Sequence, residues 1–384
     1  MITDPPKLSE AALPQETLPS SISKEAIIFI PTLVKQAKYT SFGLSLQEFL
    51  LFQDSHNYTS GTSILAKYNP KRSNLEAEEK EQNLSAKIFS MEPIKKEDID
   101  QEIFDMYDYY VHGKINRREF VNRLSAYAVG GLTVSAILNF LLPNYAEAKR
   151  FTLDDPRLIS EFVEYDSPNG AGKMRGLLTR PADVKGKLPG IIVVHENRGL
   201  NPYIEDTAHQ AALDGFIAFA PDALTPFGGY PGSDDEGREM QAKRNRNEIL
   251  EDFIAAYGFL KNNEHCTGNV GVVGFCFGAW VSNMMAVRLP DLKAAVPFYG
   301  GQAPSEEVPK IQAPLQLHYA ELDTRVNEGW PAYEAALKAN NKSYEVHFYP
   351  ETNHGFHNHS TPRYDKDAAE LSWKRTIEFF RKHL

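Results

Sequence analysis

The chain has 384 residues, enough for one large domain or two ordinary ones. Apolar residues make up 42% and charged residues 24%, the balance of a globular protein with a sizeable core. With 41 basic and 51 acidic residues the net charge is −10, which argues against a basic nucleic-acid-binding face, and only two cysteines, Cys266 and Cys276, leave no disulfide framework.

The first 90 residues carry no recognisable chemistry. Met1 to Leu18 is rich in Pro, Ser, Thr and Glu and is expected to be disordered. Ala26 to Val34 is apolar but broken by Pro31, Phe49 to Phe52 is a second short apolar patch, and Asn69 to Ser85 is polar. At Met91 the character changes to that of a conventional chain, so residues 1–90 read as an unassigned upstream extension.

Residues 91–150 read as a helical segment. Ile99 to His112 has apolar side chains at helical spacing, with Gly113 placed as a C-cap. Arg117-Arg118, Phe120, a weakly hydrophobic run from Ser125 to Pro143 and Ala146-Glu147-Ala148 together resemble a twin-arginine export signal, which would deliver the protein to the periplasm. The same residues admit a second reading, in a cytoplasmic protein: Asn116 caps a helix, Glu119 completes a capping box, and the apolar run is one packed helix. With Gly130 and Gly131 inside it, that run is marginal as a stable membrane span.

From Phe151 the pattern becomes that of an alternating α/β domain, 151–384. Glu161 to Tyr165 and Met174 to Thr179 are strand-like around the turn Ser167-Pro168-Asn169-Gly170. Strands at Leu188 to His195, Phe216 to Ala220, Val270 to Phe275, Leu292 to Phe298, Pro314 to Tyr319 and Tyr344 to Tyr349 then alternate with helices near Tyr203 to Leu213, Ala242 to Leu260, Phe277 to Val287, Trp330 to Ala339 and Asp365 to His383. Continuous apolar strands separated by helices predict a doubly wound, mostly parallel sheet with helices on both faces.

The sharpest chemical signal is Gly274-Phe275-Cys276-Phe277-Gly278, which follows an apolar strand and opens a helix. A nucleophile there sits on a tight turn at the top of the sheet, and the helix N-terminus behind it favours a thiolate. Asp323, just past one strand, and His354, in a loop after the next, follow in the order nucleophile, acid, histidine, each at the C-terminal edge of the sheet. A triad so built has His354 move the protons, Asp323 orient the imidazole, and the thiolate form a thioester that water hydrolyses. The oxyanion would be held by the backbone N–H of Phe277 and of Asn197, in the loop after the first core strand.

From about Pro156 to Leu384 the chain resembles the dienelactone hydrolase (carboxymethylenebutenolidase) family of the α/β-hydrolase fold. The carriers are Gly-Phe-Cys-Phe-Gly, the acid in Ala320-Glu321-Leu322-Asp323, the base in Asn353-His354-Gly355-Phe356 and Glu196 in His195-Glu196-Asn197-Arg198-Gly199. The resemblance implies that Glu196 contacts the nucleophilic thiol and helps deprotonate it, and that arginines hold a carboxylate on a small unsaturated lactone. Arg238 lies about where one such arginine belongs. The stretch His357-Asn358-His359 lacks the second, and Arg198 and Arg325 are local substitutes.

The expected activity is therefore hydrolysis of a small ester or lactone without a cofactor. A non-catalytic binding protein of the same fold, and a thioesterase or acyl transferase, are the alternatives. His354, His357 and His359 form a short histidine tract, but no acidic cluster or cysteine completes a metal set, so no metal is expected and the latter two read as loop residues. Cys266 and Cys276 lie at opposite ends of one strand, roughly 25 Å apart at about 3.3 Å per residue, too far for a disulfide.

Overall fold

A computed structural model describes residues 94–128 and 132–384. The expectations for Met1 to Leu18, Ala26 to Val34, Phe49 to Phe52 and Asn69 to Ser85 lie outside the described residues. The body is an eight-stranded sheet in the order β1-β2-β4-β3-β5-β6-β7-β8. Its strands are β1 (Leu158–Ser167), β2 (Gly172–Pro181), β3 (Leu188–Val194), β4 (Ile217–Pro221), β5 (Cys266–Phe275), β6 (Ala294–Phe298), β7 (Leu315–Ala320) and β8 (Tyr344–Tyr349). From β4 to β8 neighbouring strands are parallel, while β1–β2 and β2–β4 pair antiparallel. The mostly parallel α/β sheet expected from the sequence is thus present, with an antiparallel hairpin at one edge.

The central strands are apolar at every position because both faces are covered. Ile192, Val194 and Val272 point to one side, where α7 (Arg246–Lys261), α8 (Phe277–Arg288) and α10 (Trp330–Ala339) pack. Ile191, Val193, Val273 and Phe275 point to the other, against α5 (Pro202–Leu213) and α11 (Lys366–His383). Burying each such side chain stabilises the fold by about 1.5–3 kcal/mol, and a two-sided core fixes the height at which each strand ends. That height places the loops after β3, β5, β7 and β8 side by side at one edge of the sheet.

The helix expected near Ala242 to Leu260 is α7, which starts at Arg246, and a further helix that the sequence pattern did not mark, α6 (Asp234–Ala242), precedes it. The Asn245 side chain accepts from the Asn247 and Glu248 N–H groups at 2.8 and 3.3 Å and so restarts the helix.

Ahead of the sheet lie α1 (Gln101–Val111), α2 (Arg117–Leu124), α3 (Val134–Leu141) and α4 (Tyr145–Ala148). Asn116 caps α2 by accepting from the Glu119 N–H at 3.0 Å, while the Glu119 carboxylate turns to Arg123, so only half of the capping box is made. The run from Ser125 to Pro143 is not one helix: a 3-10 turn over Ser125–Tyr127 precedes α3, which starts anew on a Thr133 cap. Gly130 and Gly131 lie between them, and glycine is a poor helix former. Ile103, Phe104, Tyr107, Phe120, Leu124, Ile137 and Leu141 form a small core of their own. No helix among the described residues is long and apolar enough to cross a membrane.

This helical cap docks on the sheet edge mainly through polar contacts. Gln101 and Asn353 exchange amide hydrogen bonds at 2.5 and 3.1 Å. Asn197 donates to the Val111 carbonyl at 2.8 Å, and Tyr145 donates to Asp234 at 2.9 Å. The Arg363 guanidinium lies 5.1 Å from the centre of the Tyr107 ring.

Candidate active site

Cys276 follows the last residue of β5 and precedes the first of α8, with φ 56° and ψ −109°. A non-glycine residue in that region is strained, and the turn is possible only because its flanks are bare. A Cβ on Gly274 would run into the Gly278 carbonyl oxygen, and one on Gly278 would come within 2.5 Å of the Val194 carbonyl oxygen. The Cys276 N–H donates to the Phe298 carbonyl at 3.0 Å, which ties the turn to β6. The side chain is buried yet lines a cavity of about 470 Å³.

Asp323 caps α9 (Thr324–Asn327), its Oδ1 accepting from the Val326 N–H at 3.2 Å. Its Oδ2 lies 2.6 Å from His354 Nδ1. A carboxylate only accepts, so Nδ1 carries the hydrogen and Nε2 keeps its lone pair. A ring nitrogen of His354 lies within 4.8 Å of Cys276 Sγ. The structure therefore brings the three sequence candidates Cys276, Asp323 and His354 to one place.

The nearest partner of the thiol comes from elsewhere. His112, the C-cap of α1, sets Nε2 3.1 Å from Cys276 Sγ. Its Nδ1 lies 2.8 Å from the Asp108 carbonyl and 3.1 Å from Asp108 Oδ1, both acceptors, so Nδ1 is the protonated nitrogen and Nε2 faces the S–H as an acceptor. Arg325 binds the same aspartate through Nε at 2.6 Å. Its Nη2 lies 3.4 Å from His112 Nε2 and 3.3 Å from His354 Nδ1.

These charges bias one another. Burial pushes the Asp108 carboxyl up, but His354, His112 and the Arg325 guanidinium outweigh it and hold the group well below the usual carboxylate range. Burial pulls the His112 imidazolium down, but Cys276 and Asp108 outweigh it, and the net direction is upward. Neither Asp108 nor His112 was singled out from the sequence. The available signal was their spacing of four on a predicted helix ending at Gly113, which puts both on one face.

The other candidates are distributed as follows. Glu196 is buried, and its carboxylate accepts from Asn358 Nδ2 at 3.0 Å; no hydrogen bond joins it to Cys276 among the described residues. The position beside the thiol is taken by His112. Asn197 lines the cavity, as does Phe277, which opens α8, where the first N–H groups have no intrahelical acceptor.

Arg238 lines the cavity, donating to the Tyr110 hydroxyl at 3.0 Å, with the guanidinium 4.7 Å from that ring's centre. Arg325 lines it too. Arg198 is not brought to the cavity: it is buried in an ion pair with Asp234. Arg246, unremarked in the sequence, lines the cavity with its guanidinium 3.5 Å from the centre of the Trp280 ring. His357 and His359 lie in the loop after β8, as expected, and are held there: they bond to the Tyr203 hydroxyl at 2.8 Å and to Asp206 at 3.2 Å, beside a separate cavity.

His112, Cys276 and His354 offer three donor atoms within 4.8 Å of one another, the spacing of a metal set. Arg325 puts a fixed positive charge against both imidazoles, where it would oppose a cation. The arrangement suits proton transfer better than metal binding.

Known proteins with this pattern place the chain. The dienelactone hydrolase family matches residues 174–384, and a family described as YqhI-like matches residues 91–129. YghX of Escherichia coli K12, named as a hydrolase fragment, is 54% identical over 110 residues, covering 29% of this chain and 94% of that protein. A Bradyrhizobium protein named as a 2-oxo-3-(5-oxofuran-2-ylidene)propanoate lactonase is 29% identical over 230 residues, covering 56% of this chain and 92% of its own. The crystal structure of a Klebsiella pneumoniae protein, named as a dienelactone hydrolase, superposes with a TM-score of 0.53 at 23% identity, covering 58% of this chain and 99% of that one, which speaks for the fold. With the α/β-hydrolase sheet, the family match over 174–384 and these relatives in agreement, the chain belongs to the dienelactone hydrolase family and is a hydrolase.

Proposed function

We propose that the protein hydrolyses small carboxylic esters or lactones, with Cys276 as nucleophile, His354 as proton carrier and Asp323 as its orienting acid. The observation that carries this reading is the strained Cys276 turn at the mouth of a 470 Å³ cavity, with the Asp323–His354 pair at 2.6 Å beside it. The thiolate adds to the ester carbonyl, and the tetrahedral oxyanion takes hydrogen bonds from the backbone N–H groups of Phe277 and Asn197. Collapse breaks the acyl C–O bond, the leaving oxygen takes a proton from imidazolium, and a thioester remains. Water, giving a proton to His354, then attacks the thioester and releases the acid and the thiol.

The cavity walls support an anionic substrate. Arg238, Arg246 and Arg325 face the space in front of the thiol, and a guanidinium holds a carboxylate through two parallel hydrogen bonds. The lactonase named among the relatives fits this charge. Glu196, one loop away, is proposed as a further carboxylate acting on the thiol once substrate enters, as the family pattern implies.

Export through residues 116–148 is proposed on the motif alone: Arg117 and Arg118 stand exposed on α2 and Ala146-Glu147-Ala148 closes the segment. Export is proposed with the segment retained, so that α1 to α4 stay docked on the site through the Gln101–Asn353 and Asn197–Val111 contacts.

The test is turnover of 4-nitrophenyl acetate and of a dienelactone by the purified full chain, with Cys276→Ser beside it. Loss of turnover in the variant, with a thioester adduct at Cys276 trapped in the parent, is the expected result. Full turnover in Cys276→Ser or Cys276→Ala would overturn the assignment.

A further inference from the structure

The molecule holds two imidazole–carboxylate pairs aimed at one thiol, where the reaction just proposed uses one. The first is Asp323–His354. The second, Asp108–His112, comes from the helical cap, 164 residues before the cysteine in the chain. The second pair makes the closer approach, 3.1 Å from Nε2 to Sγ. Its geometry is complete: the aspartate fixes the hydrogen on Nδ1, and the nitrogen facing the sulfur is the one that accepts.

We propose that His112 is a catalytic residue that takes the Cys276 thiol proton in the resting enzyme, so that the cap supplies the activating base and His354 is left to serve the deacylation step. The inference rests on the reading of Cys276 as nucleophile and divides the proton transfers assigned above. The S–H proton passes to His112 Nε2, giving thiolate and imidazolium. The thiolate forms the C–S bond to the carbonyl carbon, the C–O bond to the leaving group breaks, and the leaving oxygen takes the proton from His112. In the second half, water gives a proton to His354 as its oxygen bonds to the acyl carbon. The C–S bond breaks, the acid departs, and His354 returns its proton to the thiolate. No oxidant, metal or further reactant is needed.

The surroundings favour this division. Around His112 and Cys276 stand Asp108 from α1, Asp323 and Arg325 from the segment after β7, His354 from the loop after β8, and Arg238, Arg244 and Arg246 on the cavity wall. Arg325 bonds Asp108 and touches both imidazoles, so it links the cap to the Asp323–His354 pair. The upward direction of the His112 imidazolium agrees with its holding the proton beside a thiolate. Glu196, the carboxylate that the family pattern puts on the thiol, is occupied by Asn358.

The experiment is alkylation of Cys276 by iodoacetamide across pH 5–9, without substrate, in the full chain and in His112→Gln, His354→Gln, Glu196→Gln and Asp108→Asn. An imidazole-paired thiolate stays reactive well below the range of a free thiol. In His112→Gln the rate at pH 6, relative to that at pH 9, is expected to fall at least about tenfold, the result of moving one titration by a unit or more. Asp108→Asn is expected to do the same in smaller measure. His354→Gln and Glu196→Gln should keep the low-pH limb, the former while losing turnover. A His112→Gln profile that superposes on the parent, or a limb lost only in His354→Gln or Glu196→Gln, would overturn the proposal. Added imidazole should restore turnover in His112→Gly, a rescue that a merely structural histidine would not show. Because alkylation is read without substrate, it stands apart from the nucleophile reading, which fails if Cys276→Ser or Cys276→Ala retains turnover.

Discussion

Asp108 and Arg325, 217 residues apart in the chain, are joined at 2.6 Å across the boundary between the helical cap and the sheet. The pair is largely shielded from solvent: the side chains are 11% and 23% exposed. It does two things at once, holding the cap on the body and setting the orientation of His112.

Asp108→Asn is therefore expected to act on both stability and chemistry. Removing one partner of a shielded ion pair leaves the other charge uncompensated and costs about 3–5 kcal/mol when burial is complete. The residual exposure of Arg325 brings the expectation to about 2–3 kcal/mol. Denaturant unfolding of the variant, with cap docking followed by hydrogen exchange at α1, reads both. An unchanged midpoint and unchanged protection at Ile103 and Tyr107 would show that the pair does not hold the cap.

Asp323→Asn tests the other imidazole. The amide no longer favours the tautomer with hydrogen on Nδ1, so Nε2 ceases to be the accepting nitrogen. The expected loss in kcat on an activated ester is roughly 10³- to 10⁴-fold, with KM little altered. Since Asp323 also caps α9 through the Val326 N–H, a melting curve must accompany the kinetics. A loss confined to KM would place Asp323 outside the proton-transfer path.

The contrast between these two aspartates marks what the sequence makes visible. Cys276 stands out because its environment is local: an apolar strand, two glycines at spacing two and a helix behind. Asp323 and His354 stand out because each follows a strand whose continuous apolar run announces itself, and the order of three strand ends is a long-range pattern written in one dimension. Asp108 and His112 have no such frame. Their role comes from a tertiary contact between a helix and loops hundreds of residues away, and helical periodicity says only that they share a face. Arg198 shows the converse. It sits one residue from Asn197, but a carboxylate on α6 draws it into an ion pair away from the cavity. Arg246 opens α7, and its place on the cavity wall comes from packing on Trp280 of a different helix, a tertiary contact that helical spacing does not announce.

Acid sensitivity follows from a histidine that the chemistry does not use. His195 is wholly buried, its Nδ1 donating to the Glu196 carbonyl at 2.6 Å and its Nε2 accepting from the Ala223 N–H at 3.1 Å. The neutral ring satisfies both, and a second proton would break the Ala223 bond inside an apolar core. Burial accordingly pulls this imidazole down, and does so more strongly for His318. A histidine whose folded value lies below the unfolded one, near 6.5, is protonated first in the unfolded chain. The contribution of each of these two rings is then constant above about pH 6.5 and falls below it, by up to about 1.4 kcal/mol per pH unit for each ring, until the folded-state value is passed, whereas His112, whose shift is upward, contributes stability that is lost as pH rises above its unfolded value. Urea midpoints measured from pH 8 to pH 5 should decline below about 6.5 as these rings take effect. In His318→Gln that decline should be shallower; an identical slope would assign it to other groups.

The last prediction concerns which substrates enter. Arg246 lies against the face of Trp280 and lines the cavity, and no carboxylate pairs with it among the described residues. Burial lowers its guanidinium from the usual value, the direction expected of a cation lacking a counter-charge. Arg238, by contrast, already shares Asp235 and Tyr110. A substrate carboxylate would find in Arg246 two free parallel donors, held in place by the indole. Arg246→Ala is expected to raise KM for a carboxylate-bearing lactone by about tenfold or more, since a charge-assisted hydrogen bond contributes about 1.5–3 kcal/mol. KM for neutral 4-nitrophenyl acetate should move less than threefold, and kcat for both should stay close to that of the parent. Arg246→Lys should recover only part of the loss, because an ammonium cannot match both carboxylate oxygens in one plane. Equal effects on the neutral and the charged substrate would mean that Arg246 shapes the cavity through its packing on Trp280 and does not read charge.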